Sequence, residues 1–272
     1  MKKEYLDELE KRLKEEEIDD ISLIMEKYER RYNFGLESGL SEEEIEKMLG
    51  SIDEIVNLHK KEVRYEYKES FGTLKLSVST INDDLEFERS EDNEIHVYFE
   101  DIDESSYNIN KTNTEISITY HDKKFFGLNR RKSGTITIAI PEGMSFSRVN
   151  LQTVSGDFDS DIAIDGEYIN LEMVSGDASF ERITSTELKG HVVTGDLKIK
   201  DLTTSRIELS SVSGDVKIDT LHADSLKAST VSGDIIIHNA YESMTVSTNS
   251  ITGSIKINDN KYKNFTDKIG EW

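Results

Sequence analysis

The residues best placed to do chemistry are five aspartates at near-constant spacing, Asp157, Asp177, Asp196, Asp215 and Asp234, each directly after a glycine. Carboxylates repeated at one place in a stacked structure have two uses. They ligate a hard cation such as calcium through oxygen, or they accept hydrogen bonds from backbone N–H groups in turns. Stacked about 5 Å apart, each neighbouring pair repels by about 1 kcal/mol in water, which a cation would relieve. Calcium-binding nonapeptide repeats, however, use paired glycines and interleaved turns, and this sequence has neither. The preferred reading is structural: each aspartate bonds the backbone of its own turn. The six histidines, His59, His96, His121, His191, His222 and His238, form no His-Glu-X-X-His pair. There is no cysteine, so thiolate zinc sites, cysteine nucleophiles and disulfides are ruled out. No Gly-X-Ser-X-Gly elbow, P-loop or dinucleotide fingerprint occurs. The sequence therefore predicts no enzyme activity, no cofactor and no metal.

One segment runs against the charge of the chain: Lys123, Lys124, Phe125, Phe126, Gly127, Leu128, Asn129, Arg130, Arg131 and Lys132. It reads as a basic, aromatic hairpin-like loop. It either touches an acidic partner or an anionic surface, or it pairs with acidic neighbours or covers an open end of the fold, and the structural role is preferred.

The 272 residues carry 33 Lys and Arg against 55 Asp and Glu, a formal net charge of −22. That balance argues against nucleic acid, whose binding depends on neutralising phosphates, and against a general affinity for anionic membranes. At 35% hydrophobic residues, the core should be thin or elongated. Two lysines open the chain without an apolar run behind them, so no signal peptide is expected. No stretch reaches the roughly 18–20 apolar residues of a spanning helix. The expected location is cytoplasmic, with association with the cell envelope as the alternative.

Residues 1–62 have helical periodicity. Tyr5, Leu6, Leu9 and Leu13 make one stripe, and Ile18, Ile21, Met25, Tyr28 and Tyr32 a second. Gly35 and Gly39 break that pattern. Ser41 and Glu44 form a capping box ahead of Ile45, Met48 and Leu49, and Gly50 stops that helix. Ser51 and Glu54 open another through Ile52, Ile55, Val56 and Leu58. The expectation is a bundle of about four helices whose tyrosine stripe is core. The runs Lys3–Leu9 and Ile45–Ile55 resemble the small helical HAAS-type signalling domain, with Ile52 where that family usually has proline. The resemblance implies a protein-interaction module without enzyme activity, found near sensor kinases, transporters or PadR-like regulators.

From Val63 the period changes to two, as in Leu74/Leu76/Val78, Ile95/Val97/Phe99, Ile116/Ile118 and Ile136/Ile138/Ile140, the last closed by Pro141. Then comes a repeat: Val154-Ser-Gly156-Asp157, Val174-Ser-Gly176-Asp177, Val193-Thr-Gly195-Asp196, Val212-Ser-Gly214-Asp215, Val231-Ser-Gly233-Asp234 and a degenerate Ile251-Thr-Gly253-Ser254. The glycines recur every nineteen or twenty positions, the longer step falling at the two ends of the series. Apolar columns align with them: Phe158, Ala178, Leu197, Val216, Ile235 and Ile255, then Phe180, Ile199, Ile218, Ile237 and Ile257, with Ser160 the exception. One such unit cannot bury its own apolar face, but stacked copies can. This predicts a mainly β fold, a parallel β-solenoid of 19–20-residue turns over residues 150–257. Residues 63–149 lead into and cap it, and residues 258–272 form a C-terminal cap. Each glycine is expected at a corner where positive φ costs little.

Residues from about 70 to 257, including Ile138–Gly143 and the Val-Ser-Gly-Asp turns, resemble the bacterial "putative adhesin" family of unknown function. That resemblance implies adhesion. It also links the fold to envelope stress-response proteins, where such β domains occur beside membrane segments or HAAS-type helices. The first functional reading is a non-catalytic interaction protein whose helical module docks a regulatory protein. The alternative is a cell-surface adhesin or envelope component. A carbohydrate-acting enzyme is the third, and the repeats hold few of the aromatic platforms it would need.

Overall fold

The computed structural model describes residues 2–16, 21–37, 40–53, 55–56, 71–121, 133–241, 244–258 and 260–269. The chain divides into two compact units, residues 1–66 and 67–272.

In the first unit, α1 (Lys2–Glu15), α2 (Ile21–Glu37) and α3 (Glu42–Leu49) follow the apolar stripes. Leu6, Leu9 and Leu13 meet Ile24, Met25, Tyr28, Tyr32, Ile45, Leu49, Ile55 and Val56 in one core, so the tyrosine stripe is packing. The capping box at α3 is present: Glu44 N–H donates to Ser41 Oγ at 3.3 Å, and Ser41 N–H donates to Glu44 Oε2 at 2.9 Å. That backbone bond, with one from the Ser41 hydroxyl, holds the Glu44 carboxyl below the usual carboxylate range. Gly50 ends the helix at φ +93°. Gly35 does not end α2, which continues to Glu37. An interior glycine costs a helix about 1 kcal/mol against alanine, too little to stop one held by Tyr28 and Tyr32 in the core. Beyond Ser51, residues 52–53 and 55–56 are helical, with Ile55 N–H donating to Ser51 O at 3.0 Å. Ile18, Gly39, Glu54 and Leu58 lie outside the described residues.

Among the described residues, the second unit has sixteen strands: β1 (Lys75–Ser79), β2 (Asp84–Arg89), β3 (His96–Glu100), β4 (Tyr107–Lys111), β5 (Glu115–Tyr120), β6 (Thr135–Ile140), β7 (Ser145–Thr153), β8 (Phe158–Met173), β9 (Ala178–Val192), β10 (Leu197–Ser211), β11 (Val216–Thr230), β12 (Ile235–Tyr241), β13 (Met244–Ser250), β14 (Ile255–Ile257), β15 (Asn260–Tyr262) and β16 (Thr266–Ile269). From β7 to β14 every repeat strand pairs in parallel with its counterpart one repeat away. The register is that of the sequence columns: Leu197 faces Ala178 on one side and Val216 on the other, and Ile235 follows, then Ile255. The protein is thus a β-solenoid of about six turns with a small helical region before it. Both apolar columns are buried along its length, including Ser160, whose Oγ donates to Ile162 O at 3.0 Å beside a register shift between β8 and β9.

The strands before the repeats do more than lead into it. β1 sits between β5 and β7, parallel to both, and β2 sits between β6 and β8, also parallel to both. The earliest strand pair in sequence is therefore second in the stack, and the later β5–β6 pair lies outside it. Antiparallel strands then finish the sheet, with β4 on β5 and β3 on β6 at one end, β15 on β14 and β16 on β13 at the other. Sheet edges that stay open invite pairing with other chains, and the change of direction ends the repeat register.

Candidate interaction surface on the turn ladder

Each Val-Ser-Gly-Asp turn stacks directly on the turn before it, and each of its four residues has one task. The first residue is aliphatic and points outward. Ile81, Val154, Val174, Val212, Val231 and Ile251 are 42%, 46%, 45%, 39%, 42% and 63% exposed, and Val193 is half-buried. The second is a hydroxyl residue whose Oγ donates to the carbonyl of the preceding turn's aliphatic residue. Examples are Ser175 to Val154 at 3.0 Å, Thr194 to Val174 at 2.8 Å and Ser232 to Val212 at 3.1 Å. The third is the glycine, and the fourth the aspartate.

The turn glycines are not corners of positive φ. Among the described residues only Gly50 and Gly143 have such a conformation among glycines. The turn glycines are needed because backbones touch: a Cβ on Gly176, Gly195, Gly214 or Gly233 would lie 1.9, 1.7, 1.8 or 2.0 Å from the carbonyl oxygen of the preceding turn's glycine. Gly253 meets Gly233 O at 2.0 Å, and Gly156 meets Asp83 O at 2.1 Å.

The aspartates also differ from the expectation, because their bonds run between turns. Asp157 Oδ1 accepts from Asp177 N–H at 2.8 Å, Asp177 from Asp196 at 2.8 Å, Asp196 from Asp215 at 3.0 Å and Asp215 from Asp234 at 2.8 Å. Asp234 accepts from both the N–H and the Oγ of Ser254, each at 2.8 Å. These two bonds, the side-chain one foremost, lower the Asp234 pKa. Charge-assisted bonds to backbone N–H groups offset the repulsion between stacked carboxylates. A turn's own backbone is closed instead by a hydroxyl three residues before its glycine: Thr153 Oγ1 accepts from Gly156 N–H at 2.8 Å, and Thr230 Oγ1 donates to Gly233 O at 2.6 Å.

The ladder has a member the glycine spacing misses. Asp83 occupies the glycine place and Asp84 the aspartate place, with Asp84 Oδ1 accepting from Asp157 N–H at 2.9 Å. Asp83 is fully buried, and its carboxylate accepts from Tyr107 OH and from Gly134 N–H. The sequence signal was Ile81 three residues before Asp84, with Leu85 and Phe87 in the two core columns. The missing glycine and the long stretch of chain between Asp84 and Asp157 hid it.

Among the described residues no three His, Cys, Asp or Glu side chains are grouped to hold a metal. Among the described residues the histidines are dispersed: His96 Nε2 meets Asp92 Oδ1 at 2.9 Å and His191 Nδ1 meets Ser210 Oγ at 2.7 Å; His59 lies outside them. A shallow groove of about 260 Å³ runs over Asp161, Glu181, Lys198, Lys200, Lys217 and Asp219, and its aromatic residue, Phe180, is buried beneath. The segment Lys123–Lys132 lies outside the described residues. Among the described residues no helix is long and apolar enough to cross a membrane.

Fold and turn ladder define a repeat protein of the β-solenoid class, in which most of the polar chemistry of the turns holds one turn to the next. Residues 73–267 match the Toastrack DUF4097 family, and the chain belongs to it. No curated protein matches the chain. Among solved structures it is similar to a "putative adhesin" from Bacteroides fragilis, at 20% identity and TM-score 0.41, covering 70% of this chain and 94% of that one. It is also similar to a "putative lipid binding protein" from Parabacteroides distasonis, at 17% identity and TM-score 0.38, covering 68% and 93%. A "putative adhesin" from Parabacteroides merdae matches at 13% identity and TM-score 0.33, covering 68% and 92%.

Proposed function

We propose that this protein is a non-catalytic recognition protein in which the solenoid, as in the adhesin reading, carries the binding surface. The observation behind the proposal is the outward aliphatic column at the turns. Seven successive rungs, Ile81, Val154, Val174, Val193, Val212, Val231 and Ile251, keep an aliphatic side chain where the neighbouring column interchanges Ser, Thr and Asn. Stiffness at the turn does not require this, since threonine is as β-branched as valine and would be solvated. A contiguous exposed apolar strip marks an interaction site, whereas scattered exposed apolar residues do not. The test is photo-crosslinking in cells that make the protein, with the probe amino acid at Val193 or Val212, and at Glu29 on the helical unit as comparison. Specific adducts from the solenoid positions support the reading, and adducts only from Glu29 overturn it. Fractionating the cells in the same experiment separates an envelope location from a cytoplasmic one.

A second reading has its own support. Residues 1–66 form a unit with a separate apolar core, as an independent docking module would. In that reading the helical unit binds a signalling protein, and the crosslinks from Glu29 would carry it.

A further inference from the structure

The geometry points to the occupant of this surface: an amphipathic helix of a partner protein, apolar along one face and basic along its flank. This inference rests on the recognition reading above and names the partner's chemistry. Three features of the ladder select it.

The first is charge. Parallel to the aliphatic column, three residues further along each turn, runs the column Asp84, Asp157, Asp177, Asp196, Asp215 and Asp234. Each carboxylate spends Oδ1 on the next turn. Among the described residues, Asp157, Asp177, Asp196 and Asp215 form no salt bridge; Asp157 and Asp177 are exposed and Asp196 and Asp215 half-buried, so the column keeps its negative charge at or near the surface. A second copy of the chain would bring the same column and a net charge of −22. Acidic lipid, nucleic acid or acidic polysaccharide would be repelled in the same way, whereas lysine and arginine side chains would be attracted.

The second feature is spacing. Rungs repeat at the strand separation of about 4.8 Å. A helix advances about 5.4 Å per turn, so its apolar side chains at i, i+3 or i+4, and i+7 keep step with three or four rungs. Alternate residues of an extended strand recur at about 6.8 Å and fall out of step by the second contact.

The third is that the strip has no hydroxyl donors to spare for a sugar. In six of the turns the hydroxyl beside each aliphatic residue is already donated to the preceding turn. What remains facing outward is methyl groups beside carboxylates.

The experiment uses the full chain and a synthetic 18-residue helix with leucine along one face and lysine along the adjoining flank, followed by fluorescence anisotropy. The same peptide with glutamate for lysine is the control, and vesicles of neutral phospholipid form a separate arm. The lysine peptide is expected to bind saturably and the glutamate peptide not at all. Val193→Thr with Val212→Thr should weaken binding about tenfold, as expected when a well-packed apolar contact is lost. Asp196→Asn with Asp215→Asn retains an acceptor for the turn-to-turn bonds, and should weaken binding and flatten its salt dependence. A cooperative thermal melt well above the assay temperature shows that each variant is folded. Binding that ignores the threonine pair, equal binding of the glutamate peptide, no peptide binding, or binding only to vesicles would each overturn the helix assignment. Crosslinks from Val193 or Val212 to a cellular partner in the face of such a result would leave the recognition reading standing. Their absence as well would remove both.

Discussion

At the scale of single residues, two kinds of glycine separate cleanly. Gly143 sits at φ +73° with nothing within 4 Å of where a Cβ would be, so its requirement is conformational. Gly195 has no positive φ, but a Cβ there would lie 1.7 Å from Gly176 O, so its requirement is space. Asparagine tolerates the left-handed region, and Gly143→Asn should therefore cost little. Gly195→Ala must push two turn backbones apart, and should destabilise the solenoid by about 1–3 kcal/mol or more, the cost of overpacking. Chemical denaturation of the two variants checks the contrast, and equal effects would contradict it. Asp234 gives a pH prediction. Its folded pKa is depressed below the ordinary 3.8 by the two bonds from Ser254. A depressed carboxylate contributes stability above its unfolded pKa and loses it as the pH falls through the folded one. Asp234→Asn should therefore be less stable than the parent at neutral pH. The gap should close below pH 3.8, read as denaturation midpoints across an acid series.

At the scale of elements, the repeat explains what was legible in the chain and what was not. Core columns two and four residues after each glycine were readable because side chains alternate along a strand and stacked strands keep register. Local signals likewise exposed the capping box at Ser41 and the apolar stripes of α1 and α2. The β1–β2 pair was not readable as part of the stack. It joins through partners far along the chain, Ser77 beside Asn150 and Leu85 beside Phe158, with Asp83 in the place of glycine, and no local pattern encodes that distance. Nor could spacing reveal that the aspartates bond between turns, since own-turn and next-turn bonding demand the same residue at the same place. Cross-turn ion pairs show the same logic on the outer face: Lys227–Glu208 at 2.6 Å and Arg206–Glu187 at 3.1 Å each link equivalent positions of successive turns. Such exposed pairs contribute about 0–1 kcal/mol each, so they tune a register that the buried columns set. The antiparallel end strands have a different duty. With β15 and β16 removed, in a chain ending at Asn258, β13 and β14 lose their antiparallel partners. Unpaired edges recruit other chains. Light scattering coupled to size exclusion should show that truncation forming higher-order species at concentrations where the full chain does not, and an unchanged mass would show that the end is protected by other means.

At the scale of the whole molecule, two separate cores imply two separate stabilities. Among the described residues, the helical unit rests on eleven buried apolar side chains drawn from local sequence. The β unit is a one-dimensional stack, and most of its strands pair only with immediate neighbours. In such an array stability is close to a sum of turn stabilities and interfaces between adjacent turns, so damage in the middle interrupts the chain of couplings while damage at an end shortens it. Gly214→Ala places a Cβ 1.8 Å from Gly195 O, in the middle of the ladder, and Gly253→Ala places one 2.0 Å from Gly233 O near its last turn. The local insult is similar and the expected consequence is not. Hydrogen exchange on the intact protein should show Gly214→Ala lowering protection on both sides of the substitution, across β9 to β12. Gly253→Ala should loosen only β13 to β16 and leave β8 to β10 as protected as in the parent. In both variants the amides of α1 to α3 should exchange as they do in the parent, because, among the described residues, each unit has its own buried apolar cluster. Loss of protection spreading evenly through the β unit from either substitution would show that the solenoid unfolds as a single cooperative block. Loss extending into α1 to α3 would show that the two units are energetically one.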